Sequence, residues 1–372
     1  MRYQNDKRVV MTLDAGGTNF VFSAIQGNAE IVQPITLPSN AHDLALCLSM
    51  IIDGFSVAKS KLSAAPAAIS FAFPGPADYP LGIIGDLGNL PGFRGGVALG
   101  PMLRDQFSIP VFINNDGDLF AYGESIAGFL PYVNSLLEAA DSPKRYNNLI
   151  GLTLGTGFGG GIVRNGELFL GDNSAAGEVW LLRNKIDPTM NAEEGASIRA
   201  VQKAYARETG IAFDKSPSPK EIYEIGTGAL QGNREAAVAA FRSMGEVVGD
   251  ALANVLTVND GLAVIGGGVA GANALFFGPL VKEMNAPYVF GDGQKRPRLL
   301  SRVYNLEDER ELAEFMKGEK KSIQVPQSSS TIMYDPLKRL GVGMSKLGTS
   351  KAVSIGAYAF ALNALDQHKT LH

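Results

Sequence analysis

The chain contains very little cysteine and histidine, which excludes several common kinds of site. Cys47 is the single cysteine among 372 residues, so neither an internal disulfide nor a cysteine-rich zinc site can form. The three histidines are His42, His368 and His372, and the last two lie in the final five residues. No serine–histidine–aspartate or cysteine–histidine arrangement competes for a catalytic role, so we do not expect a nucleophile activated by histidine.

An excess of one charge and long apolar runs are also absent. The 33 basic and 37 acidic residues give a net charge of −4, without the basic field that nucleic acid would select. No run approaches the length of a membrane span, and residues 1–8 are polar, without the apolar segment of a secretory signal. We therefore expect a cytoplasmic protein with no nucleic-acid or membrane partner. Its length is enough for two domains of ordinary size.

The most informative stretch is residues 11–21, where an apolar strand leads through Asp14 and a Gly-Gly-Thr-Asn turn into a second apolar strand. Glycines at a tight turn let backbone N–H groups approach an anion with no Cβ in the way. Asp14 would repel a bare phosphate but can hold the Mg²⁺ shell of a nucleotide. The pattern predicts a phosphate-binding hairpin. An ordinary hairpin is the alternative, because Gly-Gly between apolar runs is a hairpin signal in any protein.

Two later glycine-rich turns resemble the first in design. Residues 149–163 form a second apolar hairpin whose turn contains Thr156 and Gly157, and residues 262–265 form a strand followed by three glycines. Two phosphate-facing hairpins suggest a duplicated α/β fold with a nucleotide between the halves, although only the turn chemistry is shared. The strand followed by three glycines is also compatible with a common structural turn that contacts no ligand.

A carboxylate stands at the end of a predicted strand. Residues 67–73 and 110–113 have the pattern of buried strands, and the apolar spacing of residues 119–129 predicts a helix. Asn115 and Asp116 therefore lie at a strand-to-helix junction, where open α/β sheets bind ligands. One of them could instead cap the helix. A carboxylate here suits a general base in phosphoryl transfer, which must orient the attacking hydroxyl and accept its proton.

Several other polar residues have the chemistry of a sugar pocket, in which buried acceptors fix hydroxyl groups. Each of them alone is also compatible with a turn, a cap or a surface charge. They are Asn89, Glu178, Glu193 and Glu194. The stretch 288–334 contains a basic cluster and a charged helix, and we predict that it is a surface excursion.

Taken in order, these motifs resemble those of the ROK family (repressors, open reading frames and sugar kinases) in the actin-like ATPase superfamily. The similarity covers most of residues 8–280 and 338–365. The matching segments are residues 13–19, 73–76, 89–92, 115–116 with Glu124, 155–161, 165–168, 171–178, 265–269 and 356–357.

The resemblance implies a two-domain α/β fold of the actin-like ATPase (ribonuclease H-like) type, with the active site in the interdomain cleft. It implies a small domain of residues 1–118, completed by a C-terminal helix at about residues 352–368. The large domain would then comprise residues 119–351, including the excursion at 288–334. Family members commonly form dimers, so a homodimer is expected.

The resemblance also implies an ATP-dependent kinase that phosphorylates the primary hydroxyl of a hexose, with Asp116 as the base. Mg²⁺ would be held by Asp14 through water, with no zinc site. The sugar would be bound by Asn89, Asn115, Asp116, Glu178 and one of Glu193 and Glu194, of which the spacing to Ser197 favours Glu193. The nucleotide would be bound by Gly16, Gly17, Thr18, Asn19, Thr156, Gly157, Gly267 and Gly268.

The chain departs from the family pattern after Glu178. Many members have a histidine there and then a cysteine-rich zinc loop, but this chain continues Val-Trp-Leu-Leu and has no cysteine between residues 141 and 372. No structural zinc is expected, and the identity of the sugar stays open. Glucose is the default, and N-acetylmannosamine, N-acetylglucosamine, fructose and allose are alternatives.

Two other functions stay in competition with the kinase. One is a sugar-sensing regulator of the same family, which would carry a DNA-binding helix-turn-helix ahead of the sugar fold. The first phosphate hairpin begins by residue 9, which leaves no room for such a domain and disfavours this function. The other is an ATPase or acyl-phosphate kinase that needs no sugar, and the motifs at Asn89 and Asn115-Asp116 argue against it.

Overall fold

We analysed a computed structural model in which residues 2–370 are described, so Met1, Leu371 and His372 lie outside the described residues. The strands are Val10–Ala15 (β1), Asn19–Gln26 (β2), Ala29–Glu30 (β3), Ile35–Pro38 (β4), Ala68–Ala72 (β5), Ala77–Asp78 (β6), Ile83–Ile84 (β7), Val111–Asn114 (β8), Leu149–Leu154 (β9), Phe158–Arg164 (β10), Glu167–Leu168 (β11), Leu262–Gly266 (β12), Pro287–Val289 (β13), Lys295–Pro297 (β14), Arg302–Asn305 (β15), Lys321–Gln324 (β16), Thr331–Tyr334 (β17) and Arg339–Met344 (β18). The α-helices are Leu44–Ser60 (α1), Leu99–Phe107 (α2), Asp116–Ile126 (α3), Phe129–Ala139 (α4), Glu193–Ala196 (α5), Ile198–Thr209 (α6), Pro219–Thr227 (α7), Arg234–Asn259 (α8), Asn273–Met284 (α9), Glu309–Lys317 (α10) and Thr349–Thr370 (α11).

The chain divides into two compact units, which we describe separately. Among the described residues, the first unit comprises 2–128, 161–177 and 347–370, and the second comprises 129–160 and 178–346. The predicted boundary at residue 118 falls inside α3, and the first unit instead continues to Gly128. The reason is that α3 packs closely on α11. A Cβ on Gly123 would lie 1.9 Å from the Ala352 carbonyl oxygen, so no larger side chain fits between the two helices.

The first unit is built on a sheet with the strand order β3-β2-β1-β5-β8, and β4 pairs with β2. β1 and β2 form the predicted antiparallel hairpin, whereas β1, β5 and β8 run parallel. The parallel strands are mostly apolar and largely buried, as is typical of strands that are covered on both faces of a sheet. An aromatic core joins Phe22 of β2 and Phe71 of β5 to Phe55 of α1, and the Phe22 and Phe55 ring centroids are 5.1 Å apart. A second cluster places Tyr358 and Leu362 of α11 against Val10 of β1.

The second unit contains a sheet in which β9, β12, β18 and β15 are parallel neighbours in that order. β10 follows β9 through the predicted glycine-rich turn. β12 lies inside the sheet and all five of its residues are buried, as its unbroken apolar sequence predicts. The long helix α8 packs against α6, α7 and α9. Among the described residues, no helix combines the length and the apolar character that are needed to cross a membrane.

The stretch 288–334 is not wholly a surface excursion. Residues 302–305 form β15, which pairs in parallel with β18, and Val303 and Tyr304 are buried there. The prediction was therefore wrong for this strand, because the pairing partner lies more than 30 residues further along the chain. The parts that do project are the β13–β14 and β16–β17 hairpins, in which every strand residue is exposed.

Candidate active site

The turn between β1 and β2 leaves two backbone donors without acceptors. The Gly16 N–H donates to the Asn19 carbonyl (3.1 Å), and Ser39 donates to the carbonyls of Gly17 (2.6 Å, from Oγ) and Thr18 (3.0 Å, from N). Within residues 2–370, the N–H groups of Gly17 and Thr18 have no hydrogen-bond partner. A Cβ on Gly16 would lie 2.8 Å from the Asn19 carbonyl oxygen, so the turn needs glycine there. This geometry is suited to an anion such as phosphate.

The carboxylate of Asp14 and the Asn115-Asp116 pair lie at the same edge of the sheet. Asp14 is in register with Ala72 of β5, and Ala72 is in register with Asn114, the last residue of β8. Two strand spacings separate Asp14 from Asn114, which corresponds to about 10 Å. The structure thus brings together two acidic segments that are a hundred residues apart in sequence.

Asn115 caps helix α3, as one of the two sequence alternatives predicts. Its backbone is extended, and its Oδ1 accepts the Gly117 N–H at 2.8 Å. The Asn115 amide nitrogen has no acceptor among the described residues, so it remains available to donate to a ligand hydroxyl. The cap therefore fixes the side chain without using all of its hydrogen-bonding capacity.

Asp116 is the first residue of α3, and its carboxylate is open to solvent on one side. Its Oδ1 accepts the Gly117 N–H at 2.8 Å. The pKa of Asp116 is raised above its ordinary value, mainly because neighbouring protein atoms displace part of the water around the carboxylate. The negative charge of Asp14 raises this pKa further, and the N–H groups of Gly117 and Asp116 oppose the rise. A raised pKa brings a carboxylate closer to the range of a general base.

The raised pKa predicts a pH-dependent stability difference for Asp116→Asn. Because the pKa is higher in the folded protein than in the unfolded chain, the ionised carboxylate destabilises the fold at neutral pH. This penalty is absent below the unfolded pKa and is complete above the folded pKa. We expect the variant to melt at a higher temperature than wild type at pH 7.5, and the difference to vanish near pH 3.5. Thermal unfolding at both pH values tests this, and a variant that is less stable at pH 7.5 would contradict it.

Asn89 lies next to the first phosphate turn. A Cβ on Gly17 would be 3.6 Å from the Asn89 carbonyl oxygen. The loop is anchored by the buried Leu90 and by the Gly92 N–H, which donates to Ala41 at 2.9 Å. The Asn89 side chain is exposed and makes no hydrogen bond to any described residue. It is therefore free to bind a ligand beside the β1–β2 turn.

In the second unit, Glu193 is turned toward the β9–β10 hairpin. Its Oε2 accepts the Phe158 N–H at 3.0 Å, and a Cβ on Gly157 would lie 2.8 Å from the same oxygen. Its other oxygen, Oε1, is 3.9 Å from Arg199, a distance that allows only a weak ion pair. One oxygen of Glu193 is thus positioned at the predicted phosphate turn while the other remains available.

Glu194 has a different environment, although it is the neighbouring residue. Its carboxylate contacts Lys203 at 2.6 Å and Arg199 at 3.4 Å. The hydrogen bond from Lys203 lowers the pKa of Glu194 below its ordinary value. Both oxygens are therefore engaged by cations of α6, which favours Glu193 over Glu194 as the ligand-binding residue.

Glu178 lies at the start of a short 3₁₀ turn. Its carboxylate accepts the indole N–H of Trp180, the single tryptophan of the chain. The side chain is only half-buried, so part of the carboxylate remains accessible. The apolar sequence after Glu178 therefore contributes one polar contact, the indole N–H, which the sequence pattern did not predict.

The glycines after β12 lie beside the β9–β10 turn. Gly266 is in register with Thr153 of β9, so Gly267 comes next to Leu154, two residues before Thr156. Gly267 has a φ of +93°, and a Cβ there would be 2.2 Å from the Leu154 carbonyl oxygen. Gly268, in contrast, faces open space. Gly267 is therefore required for packing, and Gly268 presents an unobstructed backbone.

The residues present fit a water-mediated Mg²⁺ ion at Asp14. Mg²⁺ keeps several waters and is bound through one or two carboxylates together with phosphate oxygens. Asp14 is exposed beside a turn with two free N–H donors, which matches that donor set. Among the described residues, no group of three or more histidine, cysteine, aspartate or glutamate side chains could hold a metal by protein ligands alone.

The site residues thus form one set in each unit. The first set comprises Asp14, Gly16, Gly17, Thr18, Asn19, Asn89, Asn115 and Asp116. The second set comprises Thr156, Gly157, Glu178, Glu193, Glu194, Gly267 and Gly268.

The sequence model of the ROK family matches residues 10–306 of the chain. This protein belongs to the ROK family. It is 55% identical to a glucokinase from Parabacteroides distasonis whose crystal structure superposes with a TM-score of 0.88, covering 98% of this chain and 99% of that one. The predicted family and the α/β fold of the actin-like ATPase type are confirmed.

Two further relatives of this ROK protein are sugar kinases. It is 27% identical over 303 residues to a glucokinase from Halalkalibacterium halodurans, and the aligned region covers 74% of this chain and 84% of the relative. It is also 27% identical over 274 residues to an N-acetyl-D-glucosamine kinase from Vibrio cholerae, and the aligned region covers 71% of this chain and 85% of the relative. The prediction of an ATP-dependent sugar kinase is confirmed.

Proposed function

We propose that this ROK kinase transfers the γ-phosphoryl group of ATP to the primary hydroxyl of a hexose, with Asp116 as the general base and glucose as the first sugar to test. The principal support is the position of Asp116 at the junction of β8 and α3, where the Gly117 N–H holds its Oδ1 at 2.8 Å and the strand register sets it at the same end of the sheet as Asp14. The glucokinase of Parabacteroides distasonis, at 55% identity, supports glucose as the sugar.

In this proposal, Asp116 accepts the proton of the attacking hydroxyl. The Gly117 N–H fixes Oδ1 of Asp116, which leaves Oδ2 to orient the hydroxyl and take its proton. The amides of Asn89 and Asn115 bind neighbouring hydroxyl groups. Phosphoryl transfer requires little else of the protein at the acceptor, because positioning and charge stabilisation supply most of the catalysis.

The remaining roles of the first unit concern the phosphates. The free N–H groups of Gly17 and Thr18 bind phosphate oxygens, and Gly16 and Asn19 shape the turn. Asp14 holds Mg²⁺ through water, and the ion, when bound, neutralises the charge of the phosphates. The raised pKa of Asp116 comes mainly from desolvation of its carboxylate, and the charge of Asp14 without a bound cation adds to it.

The second unit contributes the other contacts of the proposal. Glu178 and Glu193 bind sugar hydroxyls, Thr156 and Gly157 bind phosphates, and Gly267 and Gly268 lie against adenosine. The support for Glu193 is its hydrogen bond to Phe158 at the end of the phosphate turn.

An N-acetylhexosamine is the second candidate substrate. The kinase from Vibrio cholerae, which acts on N-acetyl-D-glucosamine by its name, is as similar to this chain as the Halalkalibacterium halodurans glucokinase is. Substrates that differ in one group are separated by one or two contacts in the pocket. Dependence on Mg²⁺, a homodimer and a cytoplasmic location also stay predictions.

A coupled assay of ADP release tests the proposed function. The enzyme is supplied with Mg-ATP and one sugar at a time from a panel of glucose, allose, fructose, mannose, N-acetylglucosamine and N-acetylmannosamine, with a blank that lacks sugar. A rate well above the blank with glucose supports the proposal, and a preference for an N-acetylhexosamine identifies the second candidate. A rate that no sugar changes would contradict both.

A pair of neighbouring variants tests the sugar contact of Glu193. Glu193→Gln removes the charge from the proposed acceptor, and a hydrogen bond to a charged group contributes about 1.5–3 kcal/mol. We therefore expect the KM for hexose to rise by at least about tenfold. Glu194→Gln is the matched control, because Lys203 and Arg199 already engage that carboxylate, and its KM should change less than about twofold. Equal KM values for the two variants would contradict the assignment.

A further inference from the structure

A hydrogen-bonded loop lies between the two proposed sugar carboxylates of the second unit. We call residues 183–191 the Asn184 loop. Its ends are joined by an antiparallel bridge between Arg183 and Asn191, and the Ala192 N–H donates to the Leu182 carbonyl at 2.7 Å. The loop therefore follows Glu178 in the sequence and leads directly into α5, which begins with Glu193.

Asn184 is the buried centre of this loop. It is 4% exposed, and its Oδ1 accepts two backbone N–H groups, from Ile186 at 2.9 Å and from Asp187 at 3.2 Å. Its own N–H donates to the Met190 carbonyl at 3.0 Å, across the loop. One side chain therefore satisfies two donors of the turn, and its backbone closes the loop.

Asn184 also contacts the helix that carries Glu193. A Cβ on Gly195 would lie 2.7 Å from Nδ2 of Asn184 and 2.8 Å from the side chain of Val247. The helix backbone at Gly195 is thus packed between the loop and α8. In addition, Oδ1 of Asn191 accepts the Glu194 N–H at 3.3 Å. The loop contacts α5 at two points, and these contacts fix where the Glu193 carboxylate lies.

We infer that Asn184 is a positioning residue for hexose binding, because it holds α5 so that Glu193 stays hydrogen-bonded to Phe158 with one oxygen directed to the sugar. This inference rests on the proposed function, in which Glu193 binds a sugar hydroxyl. Asn184 itself does not touch the substrate. Its effect is on the affinity for the sugar, since it acts through the orientation of a single acceptor.

The first part of the test separates positioning from folding. Asn184→Ala removes the acceptor of two N–H groups, and we expect the KM for hexose to rise about tenfold, while kcat and the KM for ATP change less than about threefold. Loss of folded protein would instead lower kcat and leave KM unchanged. Asn184→Asp keeps an acceptor of the same shape for the N–H groups of Ile186 and Asp187, so its KM should rise less than that of Asn184→Ala.

A control variant in the same loop tests whether the effect on the KM for hexose is specific to Asn184. Oδ1 of Asp187 accepts the Thr189 N–H at 3.1 Å and the Thr189 hydroxyl at 2.6 Å, on the exposed part of the loop. Thr189→Ala removes the hydroxyl bond and leaves those of Asn184 in place. Its KM for hexose should change less than about twofold. A rise equal to that of Asn184→Ala would overturn the inference.

A double-mutant cycle with Glu193→Gln completes the test. If Asn184 acts through Glu193, then Asn184→Ala should raise KM by less than about twofold in the Glu193→Gln background. The same tenfold rise in both backgrounds would overturn the inference and leave the proposed function intact. A wild-type KM in Glu193→Gln alone would overturn the proposed sugar contact and the inference together.

Discussion

Replacement of Asp116 by asparagine is expected to lower kcat by about 10²–10⁴-fold, the range that a positioned general base contributes. Asparagine keeps the volume of the side chain and the Oδ1 acceptor for the Gly117 N–H. It cannot accept the proton of the sugar hydroxyl at neutral pH. Because the helix start and the cap by Asn115 are unchanged, the affinity for hexose should stay within about fivefold of wild type.

The measurement combines turnover with a direct binding assay. The ADP-release assay gives kcat, and the fluorescence of Trp180, the single tryptophan, is the probe of hexose binding, because its indole N–H donates to the proposed sugar residue Glu178. Asp105→Asn in α2 is the control, because it makes the same change at an exposed carboxylate outside the candidate site, and its kcat should equal that of wild type. Wild-type turnover in Asp116→Asn would show that Asp116 is not the base.

The second large effect is expected at two adjacent glycines. Gly267→Ala should lower the free energy of unfolding by about 3 kcal/mol or more, because it adds a Cβ against backbone and strains a residue with positive φ. The Cβ would lie 2.2 Å from the Leu154 carbonyl oxygen, and neither backbone segment can move without disturbing β9 or β12. Gly268→Ala should change stability by less than about 0.5 kcal/mol, since the space around it is open.

The two glycine variants also separate packing from nucleotide binding. Thermal or denaturant unfolding measures stability, and the KM for ATP measures the proposed adenosine contact. We expect Gly268→Ala to raise the KM for ATP while its stability stays at the wild-type level. Equal stability of Gly267→Ala and wild type would show that the approach of β12 to Leu154 is looser than the structure indicates. An unchanged KM for ATP in Gly268→Ala would remove that residue from the proposed nucleotide site.

Local chemistry made much of the fold predictable. The β1–β2 and β9–β10 hairpins follow from apolar runs on both sides of glycine-rich turns, and the buried strands β5 and β12 follow from short unbroken apolar segments. Helix α3 could be predicted from its apolar spacing, and its cap by Asn115 from the residue types at the junction. Each of these patterns depends on neighbours within a few residues, which a single sequence displays.

Non-local pairing explains what the sequence pattern missed. The strand β15 has only four residues in a charged region, and it is a strand because β18 lies alongside it. Helix α3 belongs to the first unit because Gly123 and α11 pack against each other, and α11 begins more than 200 residues later. Neither contact leaves a signal in the local periodicity.

For the site, the sequence by itself determined the family, the two glycine-rich turns and the candidate residues, because a turn motif is a local arrangement of backbone and small side chains. The tertiary structure decided how those residues differ. The register of β1, β5 and β8 sets Asp14 and Asp116 at the same end of the sheet, where the pKa of Asp116 is raised mainly by desolvation of its carboxylate and additionally by the charge of Asp14. The side chains of Glu193 and Glu194 are chemically identical, and only the packing of α5 directs one to Phe158 and the other to Lys203.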